Sequence, residues 1–181
     1  MSLTTEEIVQ NAKKYFETAE SVGAMSPELF DYIGLKITDA PATPSEDNFF
    51  AYKGGLIAYL LLIAKHAVNL NNQLPPEIRV EKNKLLKVCL LSQIAKADMF
   101  EEDPNPKYKQ PYRFVDNPYP IKTAEKSVFL AQNYGVKLEL DEYYAIINPV
   151  KNENGYTPLA TILECAIRLA TLEAKQKTIK K

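Results

Sequence analysis

Histidine is almost missing from this chain: His66 is the single one among 181 residues. A site built on a cage of imidazoles is therefore excluded. With no second histidine to join it, His66 reads as a surface or partly buried helix residue. Cysteine is nearly as scarce. The two present, Cys89 and Cys165, lie far apart, each inside an apolar helical pattern. Without a Cys-x-x-Cys pair or a Cys/His cluster, they read as reduced core thiols, and nothing supports zinc. An excess of one charge is lacking too, because 22 Lys and Arg stand against 23 Asp and Glu. That balance gives no pull toward nucleic acid or an anionic membrane. The most basic stretch is the 175–181 tail, with Lys175, Lys177, Lys180 and Lys181, and it reads as a solvated helix end. Long apolar runs are also absent: Leu56 to Ala64 is too short to span a bilayer and carries Tyr59. Met1-Ser2-Leu3 has neither the basic nor the apolar region of a secretion signal. These absences predict a cytoplasmic protein that neither enters a membrane nor binds nucleic acid. No Ser/His/Asp set, P-loop or dinucleotide fingerprint occurs.

What is present is helix punctuation. The length suits one domain with a substantial core, and residues 1–181 read as a single all-α unit. Thr4 followed by Glu7 is a capping box. Ile8, Val9, Ala12, Tyr15, Phe16, Ala19 and Val22 then recur at helical spacing, and Gly23 closes this N-terminal helix over 1–23. Ser26-Pro27-Glu28 opens a second helix, which Gly34 is expected to end. Residues 39–47 carry Pro41 and Pro44 and read as a loop. A long helix is expected from about Phe50 to Leu70, with Gly54-Gly55 suited to a close backbone approach or a tight helix start. The next, from about Lys82 to Ala97, is apolar over most of its circumference and reads as the buried centre. Residues 101–120, with five prolines and Tyr108, Tyr112 and Tyr119, read as a long Pro/Tyr-rich loop with room for a short hairpin. Thr123 is expected to cap a helix that Gly135 ends. Asp141 is expected to cap another, which Pro149 terminates, and Asn152 to Gly155 reads as a turn. Thr157-Pro158 starts the last helix. The total is a bundle of about six or seven helices.

Three stretches carry a family resemblance. Tyr52-Lys53-Gly54-Gly55-Leu56-Ile57-Ala58-Tyr59 resembles a Tyr-Glu-Gly-Gly-Leu-x-x-His segment. Leu90-Leu91-Ser92-Gln93-Ile94-Ala95-Lys96 resembles Leu-Leu-His-Asp-x-x-Lys. Lys122-Thr123-Ala124-Glu125-Lys126-Ser127-Val128 resembles Gly-His-Gly-Glu-Lys-Ser-Val. All three belong to the HD-domain metal-dependent phosphohydrolases, and Ala40-Pro41-Ala42 and Ala145-Ile146 fit one subgroup of them. Order and spacing agree from about residue 29 to 174. The resemblance implies an HD-like helical fold. In intact members it implies a cage of histidine, a His-Asp pair and a late aspartate that holds divalent ions to activate water. Carried over here, the first histidine position is Tyr59, the pair is Ser92 and Gln93, and the late aspartate falls at or near Thr171. Accessory histidine positions hold Phe49, Thr123 and Pro149. These neutral groups are poor ligands for a divalent ion.

The implied protein keeps the fold and has lost the reaction. Its expected function is binding without catalysis, with no metal and no cofactor, and its partner is a protein or a phosphorylated small molecule. Lys96, Lys126 and Arg113 are the candidate phosphate contacts, and the two lysines have plain alternatives: Lys96 favours a helix C-terminus, and Lys126 reads as a solvated first-turn residue. The 101–120 segment is the preferred surface for a protein partner. The competing reading is a divergent phosphohydrolase or nucleotide hydrolase with a non-standard site, using Asp98, Asp116, Glu125 or Glu164 with a lysine. A nuclease-like role suffers from the neutral charge.

Overall fold

Local sequence sets most helix boundaries. The computed structural model describes residues 3–116, 121–147 and 157–179, the last three of these by backbone alone. Helix α1 (Thr5–Ser21) opens on the reciprocal box. Thr4 Oγ1 accepts from the Glu7 N–H at 3.2 Å, and Glu7 Oε2 accepts from the Thr4 N–H at 2.7 Å. Gly23, at φ +69, turns the chain out of it. Helix α2 (Pro27–Asp39) starts where Ser26 Oγ accepts from the Leu29 N–H. It does not stop at Gly34. That glycine stays helical and buried beneath the Phe30 ring, so packing overrides its low propensity.

Five further helices follow: α3 (Gly55–Gln73), α4 (Lys82–Leu91), α5 (Thr123–Asn133), α6 (Leu140–Ile147) and α7 (Pro158–Ile179). Short 3₁₀ turns sit at Pro76–Ile78 and Ile94–Asp98. Several expected boundaries move for identifiable reasons. α3 begins at Gly55 rather than Phe50, because Phe50 and Gly54 both take positive φ, +51 and +78. The helix expected from 82 to 97 breaks at Gln93, whose φ of -130 is not helical, and resumes as the tighter 94–98 turn. Thr123 is not a cap but the first residue of α5; the Lys122 N–H is satisfied by Glu125 Oε2 at 3.4 Å. Asp141 likewise lies inside the first turn of α6. Thr157 does cap α7, accepting from the Ala160 N–H at 3.2 Å. Pro149 and the turn expected over 152–155 lie outside the described residues.

The short hairpin for which the 101–120 segment left room forms over residues 100–114. Strand β1 (Phe100–Lys107) pairs antiparallel with β2 (Gln110–Phe114), matching Phe100 to Phe114 and Glu102 to Tyr112. The register slips between Glu102 and Lys107, where Pro104 and Pro106 cannot donate to a ladder. The outer side of β2 is covered by the 39–47 loop: the Tyr112 N–H reaches Pro44 O at 3.4 Å, and the Glu46 N–H reaches Lys109 O at 2.8 Å. β1 carries Glu101, Glu102 and Asp103 beside its prolines, and both devices discourage pairing with another strand.

The described residues thus form an all-α bundle of seven helices with one two-stranded sheet. One hydrophobic cluster runs through it from Tyr15 in α1 to Ala174 in α7. α4 packs against α1, α3, α5, α6 and α7, and shares the centre with α3, which packs against α1, α2, α4 and α7. Leu85, Val88, Cys89, Leu90 and Leu91 are fully buried, each large aliphatic among them worth roughly 1.5–3 kcal/mol of transfer free energy. Among the described residues no helix is long and apolar enough to cross a membrane.

One ion pair is nearly as buried as this core. Lys87 Nζ of α4 meets Glu142 Oε2 of α6 at 2.8 Å, with 13% and 4% of the two side chains exposed. Glu142 also accepts from the Glu139 N–H at 2.8 Å, and Lys87 donates to Lys137 O at 2.7 Å. Breaking such a pair leaves an uncompensated charge. Lys87→Met is therefore expected to cost about 3–5 kcal/mol in urea unfolding, and Lys87→Met with Glu142→Leu to recover most of it. Equal losses in the single and double variants would show that packing, not charge, dominates there.

Candidate functional site

Two glycines bring the site together. Gly54 leaves a helical path, at φ +78, so that α3 can start abruptly. Gly55 lets the backbone of the preceding segment lie against that start: a Cβ on it would sit 2.2 Å from Phe50 O. Backbone bonds hold the approach. Phe50 O accepts from the Ala42 N–H at 2.9 Å, Ala40 O accepts from the Leu56 N–H at 3.0 Å, and Thr43 Oγ1 donates to Phe49 O at 2.7 Å. The result places two phenyl rings over the first turns of α3. Phe49 lies 4.9 Å from the Tyr59 ring, centroid to centroid, and Phe50 lies 6.2 Å from it.

Tyr59 is buried, and its hydroxyl meets Thr171 Oγ1 of α7 at 2.8 Å. Burial raises the phenol's pKa, and the Thr171 hydrogen bond offsets part of that rise. The Lys96 ammonium stands over the face of the same ring, 5.2 Å from its centre. Lys96 is half-buried, and desolvation pulls its pKa down to about 8. Among the described residues it has no carboxylate partner. The acid nearest in sequence, Asp98, is already engaged by the Tyr32 hydroxyl at 2.7 Å and Lys36 Nζ at 2.9 Å.

Four positions expected at one site therefore converge: Phe49, Tyr59, Lys96 and Thr171. Ser92 is buried at the end of α4 and turns back to donate to Cys89 O at 2.9 Å. Gln93 is half-buried at the break between α4 and the 94–98 turn. Thr123 contacts Met99 Sδ at 3.6 Å, and Lys126 Nζ lies 3.4 Å from Asp98 O, so both flank the outer side of that turn. Arg113 is engaged elsewhere. It sits on β2 and pairs with Glu101 Oε1 at 2.6 Å. Pro149 lies outside the described residues.

The donor set does not suit a divalent ion. Tyr59 and Thr171 satisfy each other, Ser92 satisfies a carbonyl, Phe49 has no lone pair, and Lys96 brings a positive charge. Among the described residues no group of three or more His, Cys, Asp or Glu is arranged so that it could hold a metal ion. His66 is remote in role as well, since its Nε2 meets Glu173 Oε2 at 2.8 Å between α3 and α7. Nor do the carboxylates of the competing enzyme reading assemble. Asp98 is held by Lys36 and Tyr32, Glu125 serves the start of α5, Glu164 pairs with Arg168 within α7, and Asp116 is exposed.

One cluster gave no sequence signal beyond the helical spacing of Tyr32 and Lys36. Tyr32 stacks on Tyr134 at 4.2 Å, Lys36 covers the Tyr32 ring at 4.1 Å, and both reach Asp98, tying α2 and α5 to the 94–98 turn. This cluster fixes the turn that carries Lys96. Comparison of the chain with family models, with curated proteins and with solved structures gives no match.

Proposed function

We propose that this chain is a non-catalytic, HD-like protein that acts by binding, and that its ligand is a phosphorylated small molecule held at Lys96. The resemblance of the three stretches to HD-domain motifs supports the ancestry. Lys96 supports the ligand class. It is a half-buried ammonium with an aromatic face beneath it and, among the described residues, no carboxylate to neutralise it. A largely desolvated charge without a counter-ion costs stability, so its presence favours a role in holding an anion supplied from outside. A doubly charged phosphomonoester answers that need. A protein partner is the second reading, favoured by Tyr108 and Phe114 on the hairpin, 90% and 59% exposed.

Titration of a nucleoside 5′-monophosphate into the protein tests the first reading. Binding is expected at pH 7 and is expected to vanish in Lys96→Met. It should also fade above about pH 8, where the free protein's Lys96 loses its proton; the phosphate itself is already doubly charged above about pH 6. Stability should move the opposite way. The folded pKa lies below the unfolded one, so the unfolded chain binds the extra proton and wild-type stability climbs from about pH 8 toward 10.5. Lys96→Met should lack that climb and gain about 1–3 kcal/mol at pH 7 in urea unfolding. Monophosphate binding that survives Lys96→Met, or no binding by the parent, would overturn the proposal.

A further inference from the structure

A concavity elsewhere on the molecule is lined by carboxylates and apolar groups. Where α1 ends and α2 begins, Glu20, Met25, Ser26, Pro27, Phe30 and Asp31 line a concavity of about 280 Å³. Its floor is apolar. Met25 is buried, and the Phe30 ring is held edge-on against Phe16 at 5.0 Å and lies over Gly34, yet remains 45% exposed. Its acidic wall is uncommitted: neither Glu20 nor Asp31 forms an ion pair among the described residues. The surroundings lean the same way. The first 39 residues hold seven carboxylates and three lysines, although the whole chain carries a net charge of only -1.

We infer that this groove receives an arginine side chain presented by a partner polypeptide. A guanidinium suits it better than an ammonium. Its flat face can lie on the exposed phenyl ring while its N–H groups reach two carboxylates, and its weaker hydration lowers the cost of entering an apolar pocket. A polypeptide suits it better than a free amine because the exposed surface continues. Leu35 lies one turn along α2 from Asp31 and is 89% exposed, beyond the reach of a ligand confined to the groove. The Lys96 site is on different elements, so this inference stands apart from the phosphate reading.

The test uses the full chain labelled for NMR at the methionine methyls and backbone amides. Two probes are titrated, the blocked amino acid N-acetyl-arginine-N-methylamide and the blocked peptide LARAL, each beside its citrulline counterpart, which is isosteric and neutral. Shifts are expected at Met25 and Phe30 with the arginine probes, with citrulline binding about tenfold weaker or worse. Glu20→Gln with Asp31→Asn changes charge at exposed positions without changing shape, and should abolish the shifts. Leu35→Asp should weaken the peptide and leave the blocked amino acid unaffected. Equal response to citrulline, no response to either arginine probe, or binding indifferent to the carboxylate variant overturns the site. A peptide that gains nothing over the blocked amino acid overturns the polypeptide partner.

Discussion

Gly55→Ala is expected to destabilise the protein by about 3 kcal/mol or more, the largest loss from any single methyl group added here. The new Cβ would stand 2.2 Å from Phe50 O. That oxygen has little room to retreat, because it already accepts from the Ala42 N–H at 2.9 Å, and the neighbouring Phe49 O accepts from Thr43 at 2.7 Å. A domain of this size is stable by only about 5–15 kcal/mol, so the loss would take a large share of the total. Gly54→Ala makes the control. It suffers a positive φ of +78 and a 3.0 Å contact, but the contact is with the Ile8 side chain, which can rotate. Its expected cost is about 1–2 kcal/mol. Urea midpoints of the two variants measure the difference. The segment also carries Phe49 onto Tyr59, so Gly55→Ala should loosen the aromatic wall around Lys96 and weaken monophosphate binding further than Gly54→Ala does. Similar, small losses in both variants would mean that the 40–54 segment yields more easily than its hydrogen bonds suggest.

The glycine pair marks the division between what the residues announced and what they did not. Caps and stops were legible because they are local: Thr4 with Glu7, Ser26 before Pro27, Gly23 and Gly135 each act within a few residues. Where tertiary packing overrides local preference, reading failed. Gly34 looks like a stop but packs under Phe30. The α4 pattern stays apolar through Ala95, yet the helix breaks at Gln93, because the following turn is held from outside. The Ala95 N–H donates to Ser127 Oγ at 3.1 Å, and Tyr32 and Lys36 grip Asp98. No window of sequence contains those partners. By contrast, the room for a short hairpin in the Pro/Tyr-rich 101–120 segment is used: Phe100 against Phe114 and the covering 39–47 loop supply what the interrupted ladder lacks. In the site, motif spacing placed Tyr59 and Thr171 as candidates for one locus across more than a hundred residues, and they lie within hydrogen-bonding distance. The family resemblance puts Arg113 near the same pocket. On a strand facing Glu101 it went elsewhere.

That convergence makes restoration the other large effect to expect. If the scaffold descends from a metal-binding HD domain, Tyr59→His, Ser92→His, Gln93→Asp and Thr171→Asp together should create manganese binding where the parent has none. The physical basis is twofold. The four positions sit on α3, at and just beyond the end of α4, and on α7, which pack on one another, and two of the side chains already touch. The replacements also supply imidazole and carboxylate in place of hydroxyl, amide and phenol. Singles should gain almost nothing, because ligands act as a set and each single replacement supplies only one of them. Thermal unfolding gives the readout, since a bound ion at a hundred times its dissociation constant stabilises by about 2.7 kcal/mol. A manganese-dependent rise confined to the folded quadruple variant is the expected result. Adding Lys96→Met should strengthen the metal gain by removing a nearby positive charge, while still abolishing monophosphate binding. A folded quadruple variant whose unfolding ignores manganese would count against the HD-like assignment of these four positions and leave the Lys96 site to stand on its own geometry.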